Sequence, residues 1–594
     1  VTVTQLPADF FKGQKVAEYD SRPTPAQKEA KRVEQRADYR HIRVDKILPQ
    51  RTVVSLNGDW LFLPDGSQDE SKASPDVPDN AWHVMPVPNF WNPIRVWLHG
   101  DGYGNATKGT SDIYYKRELE RCQQYTFDTD RTNDAWYRQW VEFPHEIAGK
   151  HVEITFEGIS KAGEVYFNGH HITSHIGMFE DVTVDVSDYV LPGKNLIAVK
   201  VHRQFVKGIE NPDQVLDVAV TVPVTNSMLK DLPHAGYGGA PGGLWQPVTM
   251  TITEPIRITD VFVKPALDGA TFDVTIKNSS TKKGKFNLST LIKDKADGTI
   301  IYNKADLKNI TLEAGEQKVV TYAVNDLKPK LWAPHTPNLY DFNFTLSDGS
   351  HAVDCSTVTS GFRTIEDRDG IFHLNGKPYW LRGANQSPGV LVPHDPEFAD
   401  IFCQLMRAGN LNVTRSHMAP YNRTWMDASD RNGVGVSQEG TWPWLMLLSS
   451  MPEKEILDIW KHEFLSLVKK YRNHPSLFFW TINNEMKFYE NDPDPERAKR
   501  KMIIISDVVK QMRAIDPTRP VCFDSNYFRK EGKKRFGDEF YQSAGIDDGD
   551  IDDVHQYYNW YVQNVFEQFD GQFQKTYKTP GRMLISQEMS TGYP

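Results

Sequence analysis

The hydrophobic pattern of this chain changes its period once, near Gly361, and that switch limits the folds open to it more than any other feature. Upstream, short apolar or alternating runs are punctuated by turns. Examples are Val152-Glu-Ile-Thr-Phe156, Glu164-Val-Tyr-Phe167, Leu196-Ile-Ala-Val-Lys-Val201, Phe272-Asp-Val-Thr-Ile276 and Lys318-Val-Val-Thr-Tyr322. Period two describes a strand with one buried face, and Asn168-Gly169 directly after one such run supplies the backbone angles of a hairpin turn. Downstream, short apolar runs alternate with longer amphipathic stretches, the pattern of βα units around a parallel sheet. Antiparallel sandwiches followed by a parallel α/β domain are therefore expected. A length of 594 residues agrees, since one hydrophobic core rarely serves so many.

Residues 1–45 are polar and rich in Lys, Arg, Glu and Gln, and read as an extension that wraps the surface or frays. Residues 46–255 are expected to form a jelly-roll β-sandwich and 256–361 an immunoglobulin-like β-sandwich. Residues 362–594 are expected to form a (β/α)8 TIM barrel, with strands at 379–383, 411–417, 433–439, 476–485, 520–525, 550–557 and 583–588. Its first helix runs from Asp395-Pro396-Glu397 to Gly409, with an N-cap carboxylate, Pro in the first turn and Gly past the end. Another opens at Asp494-Pro495-Glu496 and keeps Ile503, Ile504, Val508, Met512 and Ile515 on one side. An eighth unit is not found. The barrel is thus expected to be incomplete in this chain, with its last segment on missing sequence or a second fragment.

Charge and composition exclude several functions. A net charge of -10 lacks the basic footprint of a nucleic-acid binder. No run of 18 or more apolar residues is present, so no membrane-spanning helix is expected. The N-terminus has neither Met nor the order of a signal peptide, which reads as a mature or trimmed form. Asn-x-Ser/Thr triplets at Asn105, Asn278, Asn287, Asn309, Asn343 and Asn422 permit secretion, and a periplasmic or secreted location is the expectation. Cys122, Cys355, Cys403 and Cys522 are too scattered for a zinc site or a disulfide framework, and read as buried apolar groups. His170-His171 sits beside a turn and is expected to face solvent. No metal-ligand motif such as His-x-His closes a strand, so no metal and no cofactor are expected in catalysis, although a structural cation and a homo-oligomer are both permitted.

In a TIM barrel the chemistry sits at the C-terminal ends of the strands. The fourth expected strand ends Asn484-Glu485 and the seventh ends Ser586-Gln587-Glu588. Two glutamates on these strands can converge on one pocket, and paired carboxylates are what glycoside hydrolysis requires. Either one alone would equally suit a helix cap or an Arg partner. The third strand ends Glu439-Gly-Thr-Trp442-Pro-Trp444, where the indoles fit either sugar platforms or loop packing.

The residues that carry a family resemblance are Leu56-Asn-Gly-Asp-Trp60, Phe167-Asn-Gly169, Gly242-Gly-Leu-Trp-Gln-Pro247, Leu331-Trp-Ala-Pro334, Gly361-Phe-Arg363, Leu374-Asn-Gly-Lys-Pro378, Leu381-Arg-Gly-Ala-Asn385, Thr414-Arg-Ser-His417, Arg472-Asn-His-Pro-Ser476 and Asn484-Glu485. In this order and spacing the chain resembles glycoside hydrolase family 2, the β-galactosidase, β-glucuronidase and β-mannosidase family, from about residue 53 to 594. The resemblance implies a retaining exo-β-glycosidase acting on a carbohydrate substrate, β-galactosidase first and β-glucuronidase close behind. A β-mannosidase of the same family and a non-catalytic carbohydrate-binding protein are the alternatives. It further implies Glu485 as acid/base, protonated at rest, and Glu588 as ionised nucleophile, with carboxyls about 5–5.5 Å apart. Asn484 matches the residue that bonds the sugar 2-hydroxyl, Tyr557 the tyrosine that donates to the nucleophile, and His417 the histidine of strand two. Asn385 joins the pocket through its motif, and Glu439 and Trp442 are expected beside or behind the sugar. Two departures stand out: Gln587 precedes Glu588 where many relatives have Ser-Glu, and no histidine follows Glu439 closely. The element that recognises a uronate would fall beyond Pro594.

Overall fold

The computed structural model describes residues 23–92, 121–122, 124–129, 131–203, 242–349, 351–386, 395–417, 419–441, 445–452, 454–555 and 572–588. Two sheets form the first sandwich. One orders His83–Val87, Gly58–Pro64, Asp134–Phe143, Gly193–His202, Ala162–Phe167 and His170–Ile176, and the other orders Val182–Asp185, His151–Phe156, Val248–Thr253 and Arg51–Ser55. Their inner faces bury Trp60, Phe62, Tyr137, Ile154, Phe156 and Met250 in one core. The turn expected at Asn168-Gly169 is present, with φ of 49° and 84°. Positive φ at both central residues matches the twist of the flanking strands, which is why Asn-Gly fits there.

The second sandwich packs Ile256–Pro265, Ala270–Asn278 and Gln317–Val324 against Ile300–Leu312, Gly284–Asp294, Tyr340–Ser347 and Ala352–Ser360. Phe272, Phe342, Phe344 and Phe362 fill its centre. It is tied to the first sandwich by Arg51, whose guanidinium grips both oxygens of the buried Asp354 at 2.9 and 2.6 Å.

The parallel domain contributes β1 (Gly383–Gln386), β2 (Val413–Ser416), β3 (Gly435–Glu439), β4 (Leu477–Thr481) and β5 (Val521–Cys522) in one sheet, and β6 (Ile551–Asp553) pairs in parallel with β7 (Met583–Ile585). Helices α1 (Pro396–Ala408), α2 (Arg423–Asn432), α3 (Lys454–Tyr471) and α4 (Pro495–Ile515) cover the sheet. The expected caps are in place: Asp395 accepts the Phe398 amide, and Asp494 accepts those of Glu496 and Arg497. The architecture is thus a jelly-roll-like β-sandwich, an immunoglobulin-like sandwich and a TIM-barrel domain.

Four expectations need correction. The first barrel strand starts at Gly383, not Tyr379, because the apolar run before it is no strand: Trp380 is 73% exposed, and Tyr379 and Leu381 pack on a small cluster around Phe478. The remaining barrel strands are shorter than their apolar runs, because a strand ends where its neighbour stops offering carbonyls. Within the polar extension, Pro25–Asp38 is a helix, closed by a Thr24/Gln27 capping box that went unread. Finally, Cys122, Cys403 and Cys522 are buried, whereas Cys355 is half-exposed on a strand whose side chains are mostly only half-covered. His170 and His171 do face solvent.

Barrel and first sandwich meet through charged groups. Glu463, on α3 and fully buried, accepts the amides of Met178 and Phe179 at 2.7 and 2.9 Å. Arg423, at the start of α2, reaches Glu157 and Asp181 at 2.9 and 3.2 Å.

Candidate active site

The strand register sets the floor of the site. Asn385, Arg415 and Ser437 lie side by side on β1, β2 and β3. Arg415 is buried and forks toward three groups: Nη1 donates to Glu588 Oε1 at 2.6 Å, while Nη2 donates to Asn484 Oδ1 at 2.6 Å and lies 2.8 Å from Glu439 Oε2. Burial alone would push its proton off, but the charges of Glu439, Glu588 and Asp553 outweigh that and hold the guanidinium firmly charged. Its planar fork serves a nucleophile candidate, a sugar-contact candidate and a buried acid at once, which a lysine point charge would not.

Glu588 follows β7 and points into the pocket, with His417 Nδ1 3.7 Å from Oε1 and His555 Nδ1 3.6 Å from Oε2. Gln587 turns the other way. Its amide NH donates to Asp553 Oδ1 at 2.9 Å, its side-chain NH2 to Asp553 Oδ2 at 2.8 Å, and its Oε1 accepts Ser437 Oγ at 2.6 Å. The glutamine that departs from the common pattern therefore ties β3 to β6 behind the site and leaves the carboxylate position to Glu588.

Glu485 lies beyond the end of β4, where the chain follows β5: Asn484 bridges to Ser525, and the Glu485 amide donates to the Ser525 carbonyl at 2.8 Å. Its φ is +47°, a left-handed conformation that costs a β-carbon residue on the order of 1–3 kcal/mol. The neighbouring bonds over-determine it. The Met486 amide donates to Asp524 Oδ2 at 3.0 Å, and the Met486 carbonyl accepts the Leu448 amide at 2.8 Å. Burial raises Asp524 well above the usual carboxylate range, which favours its neutral form beside Glu485.

The surroundings of Glu485 favour its ionised form, whereas the resemblance implies an acid that rests protonated. Burial raises its pKa, but His555 Nδ1 sits 2.8 Å from Oε1 and, together with the charges of His555, Lys487 and Arg415, brings it down to about 2. One oxygen each of Glu485 and Glu588 and a ring nitrogen of His555 all lie within 4.8 Å of one another.

Of the residues singled out from sequence, Glu485, Glu588, Asn484, His417 and Glu439 come together. His417 Nδ1 faces Glu439 at 3.5 Å, and Glu439 is fully buried, which places it behind the pocket. Asn385 stands half-buried at the end of β1. Tyr557, Trp442 and Trp444 lie outside the described residues. Sequence reading left out Arg415, although it quoted the motif that contains it, and His555, Ser525 and Asp553. Their signal was available: each sits at or just past the C-terminal end of a strand, where polar side chains have no core to serve. The other described cluster with a metal-binding composition is Asp427, Asp430 and His474, in which His474 Nδ1 already bonds Asp430 Oδ2 at 2.6 Å and Asp430 Oδ1 takes the Ser476 amide.

Comparison with known proteins gives a consistent set of matches. The model described as glycosyl hydrolases family 2 matches residues 256–363, that family's TIM barrel domain matches 365–592, and its galactose-binding domain-like model matches 106–241. A putative β-glucuronidase of Formosa agariphila is 23% identical over 492 residues, covering 81% of this chain and 52% of the relative. A β-galactosidase of Thermoanaerobacter pseudethanolicus is 25% identical over 454 residues, covering 74% of this chain and 53% of the relative. The chain thus spans about half the length of these curated relatives. Among solved structures, a Bacteroides uniformis β-glucuronidase superposes with a TM-score of 0.67 at 21% identity, covering 92% of this chain and 60% of that one. A β-galacturonidase from Eisenbergiella tayi gives 0.64 at 18%, covering 93% and 83%.

Proposed function

Because the chain belongs to glycosyl hydrolases family 2, we propose that it is a retaining exo-β-glycosidase in which Glu588 is the nucleophile and Glu485 the acid/base. The observation that supports this is that one oxygen of each carboxyl lies within 4.8 Å of one of the other, as a close pair requires. Retaining pairs stand about 5–5.5 Å apart, whereas inverting pairs leave room for a water at about 6.5–9.5 Å. In the first half-reaction Glu588 attacks the anomeric carbon as the glycosidic bond breaks, and the leaving oxygen takes a proton from the Glu485 side. In the second, water loses a proton to that side and displaces Glu588, restoring the β-anomer.

Arg415 aims both partners. It fixes one Glu588 oxygen and so orients the other, and by taking Asn484 Oδ1 it turns that amide's NH2 toward a sugar hydroxyl. Such a contact matters most if it tightens as charge develops at the ring. The sugar proposed is a terminal β-galactoside or β-glucuronide, since relatives bearing both names match to a similar degree.

A panel of p-nitrophenyl β-glycosides on the full-length protein, with NMR observation of the first-formed anomer, tests the reading. Glu588→Gln is expected to lower kcat/KM by at least about 10³-fold. Inversion of configuration, or turnover by Glu588→Gln within about tenfold of the parent, would remove the assignment.

A further inference from the structure

The acid side of the site contains more than Glu485. Asp553, fully buried on β6, is surrounded by donors: Ser525 Oγ at 2.6 Å, Gln587 through both its amides at 2.9 and 2.8 Å, and the Asn526 amide at 3.3 Å. Ser525 has one hydroxyl hydrogen and gives it to Asp553. At its other contact, 2.7 Å from His555 Nε2, it must then accept, which fixes a hydrogen on Nε2. The ring's remaining nitrogen, Nδ1, faces Glu485 Oε1 at 2.8 Å. The His555 amide is anchored on Asn526 Oδ1 at 3.0 Å, so the ring is held from its backbone as well.

We propose that His555, tautomer-locked by Ser525 and Asp553, stores the proton that Glu485 delivers, so that the acid of this enzyme is a Glu485–His555 pair. His555 acts through Glu485 and is a positioning residue. In the step that cleaves the glycoside, the Nδ1 proton passes to the Glu485 carboxylate and on to the departing oxygen, which keeps the electron pair of the broken bond. His555 is left as a neutral imidazole. When water attacks the glycosyl-enzyme, its proton returns through Glu485 to Nδ1, and the pair is reset. The charged groups facing the pair are Lys487 at 3.7 Å from Glu485, Arg415 on β2, Glu588 at 3.6 Å from Nδ1 and Asp553 at 3.8 Å from Nε2, with His417 across the pocket beside Glu588. Among the described residues the stored proton thus sits beside the carboxylates of Glu588 and Asp553 and the cations of Lys487 and Arg415, with Glu439 paired to Arg415.

The proposal rests on the glycosidase reading, and its test separates the two. On the full-length protein, kcat/KM is measured for a series of β-glycosides whose leaving groups run from dinitrophenol, which needs no acid, to alkyl alcohols, which do. His555→Gln is expected to lower kcat/KM about 10²-fold or more for the poor leaving groups and less than about fivefold for the dinitrophenyl glycoside. Its alkaline limb should move to lower pH, because a lone Glu485 loses its proton sooner than the pair. Ser525→Ala, which unlocks the tautomer, is expected to give the same selective loss at about tenfold, and it serves if His555→Gln does not fold. An equal loss for every leaving group, or an unmoved alkaline limb in both variants, would overturn the proposal while leaving the glycosidase reading intact. A parent protein that hydrolyses none of the series would overturn both.

Discussion

Two glutamates in this molecule, the half-buried Glu485 and the fully buried Glu463, are shifted in opposite directions. Glu485, at the mouth of the barrel, is brought down to about 2, and Glu463, between the barrel and the first sandwich, is pushed up to about 7. Burial raises both. At Glu485 the His555 hydrogen bond and the charges of His555, Lys487 and Arg415 overcome it. At Glu463 the charge of Glu180 adds to burial, and two backbone amides with the Thr441 hydroxyl only partly offset it. Enclosure therefore does not decide the protonation of a carboxyl; the sign of the charge enclosed with it does. The site sets cations beside Glu485, whereas the charge that acts on Glu463 is that of a second acid, Glu180.

The largest effect should come from removing the cation shared by the acids. Arg415→Met strips Glu588, Glu439 and Asn484 of a common partner, and breaking a buried pair from one side costs about 3–5 kcal/mol. Loss of kcat/KM is expected to reach about 10³-fold. Arg415→Lys keeps the charge but not the fork. It is expected to recover much of the thermal stability and little of the activity, and recovery of both together would show that charge alone suffices.

Glu463 gives the opposite perturbation, in which removing a charge helps. Its unfolded pKa is about 4.3 and its folded value about 7, so the native state holds the proton more tightly. Below about pH 4.3 the acid is neutral in both states and costs nothing. As pH rises toward 7 the unfolded chain releases its proton first and stability falls, and above 7 the whole cost is present, up to about 4 kcal/mol. Glu463→Gln keeps an oxygen for the Met178 and Phe179 amides and drops the charge. Its melting temperature should exceed the parent's at pH 8.5 and match it near pH 4.5. A difference that stays constant between those pH values would mean that the charge is not what burdens the interface.

How far the sequence alone reaches follows the same division. The Asn168-Gly169 turn, the caps at Asp395 and Asp494 and the strand-end glutamates were legible because each obeys a local rule. The hub was not, since nothing in Thr414-Arg-Ser-His417 reveals that one arginine joins residues from the ends of three other strands. Glu485's partner was hidden for the same reason: its motif carries no trace of His555, 70 residues further along the chain. Trp380 failed differently, as an apolar residue that the pattern placed in a strand and the fold left in solvent. Local periodicity fixes faces and turns, while convergence at a barrel mouth depends on register between distant strands.

The smallest expected effect tests whether neutrality next to Glu485 matters. Asp524 is fully buried, and burial raises its pKa well above the usual carboxylate range, so it already behaves as an uncharged acceptor for the Met486 amide and the Tyr489 hydroxyl. Asparagine has the same shape, offers the same carbonyl oxygen and carries no charge. Asp524→Asn, which keeps the acceptor oxygen and the neutral charge, is therefore expected to leave kcat/KM within about threefold of the parent and both limbs of its pH profile in place. If the variant instead moves the alkaline limb to lower pH, Asp524 is ionised in the working enzyme. Its negative charge would then have to be counted with those of Glu588 and Asp553 around the Glu485–His555 proton.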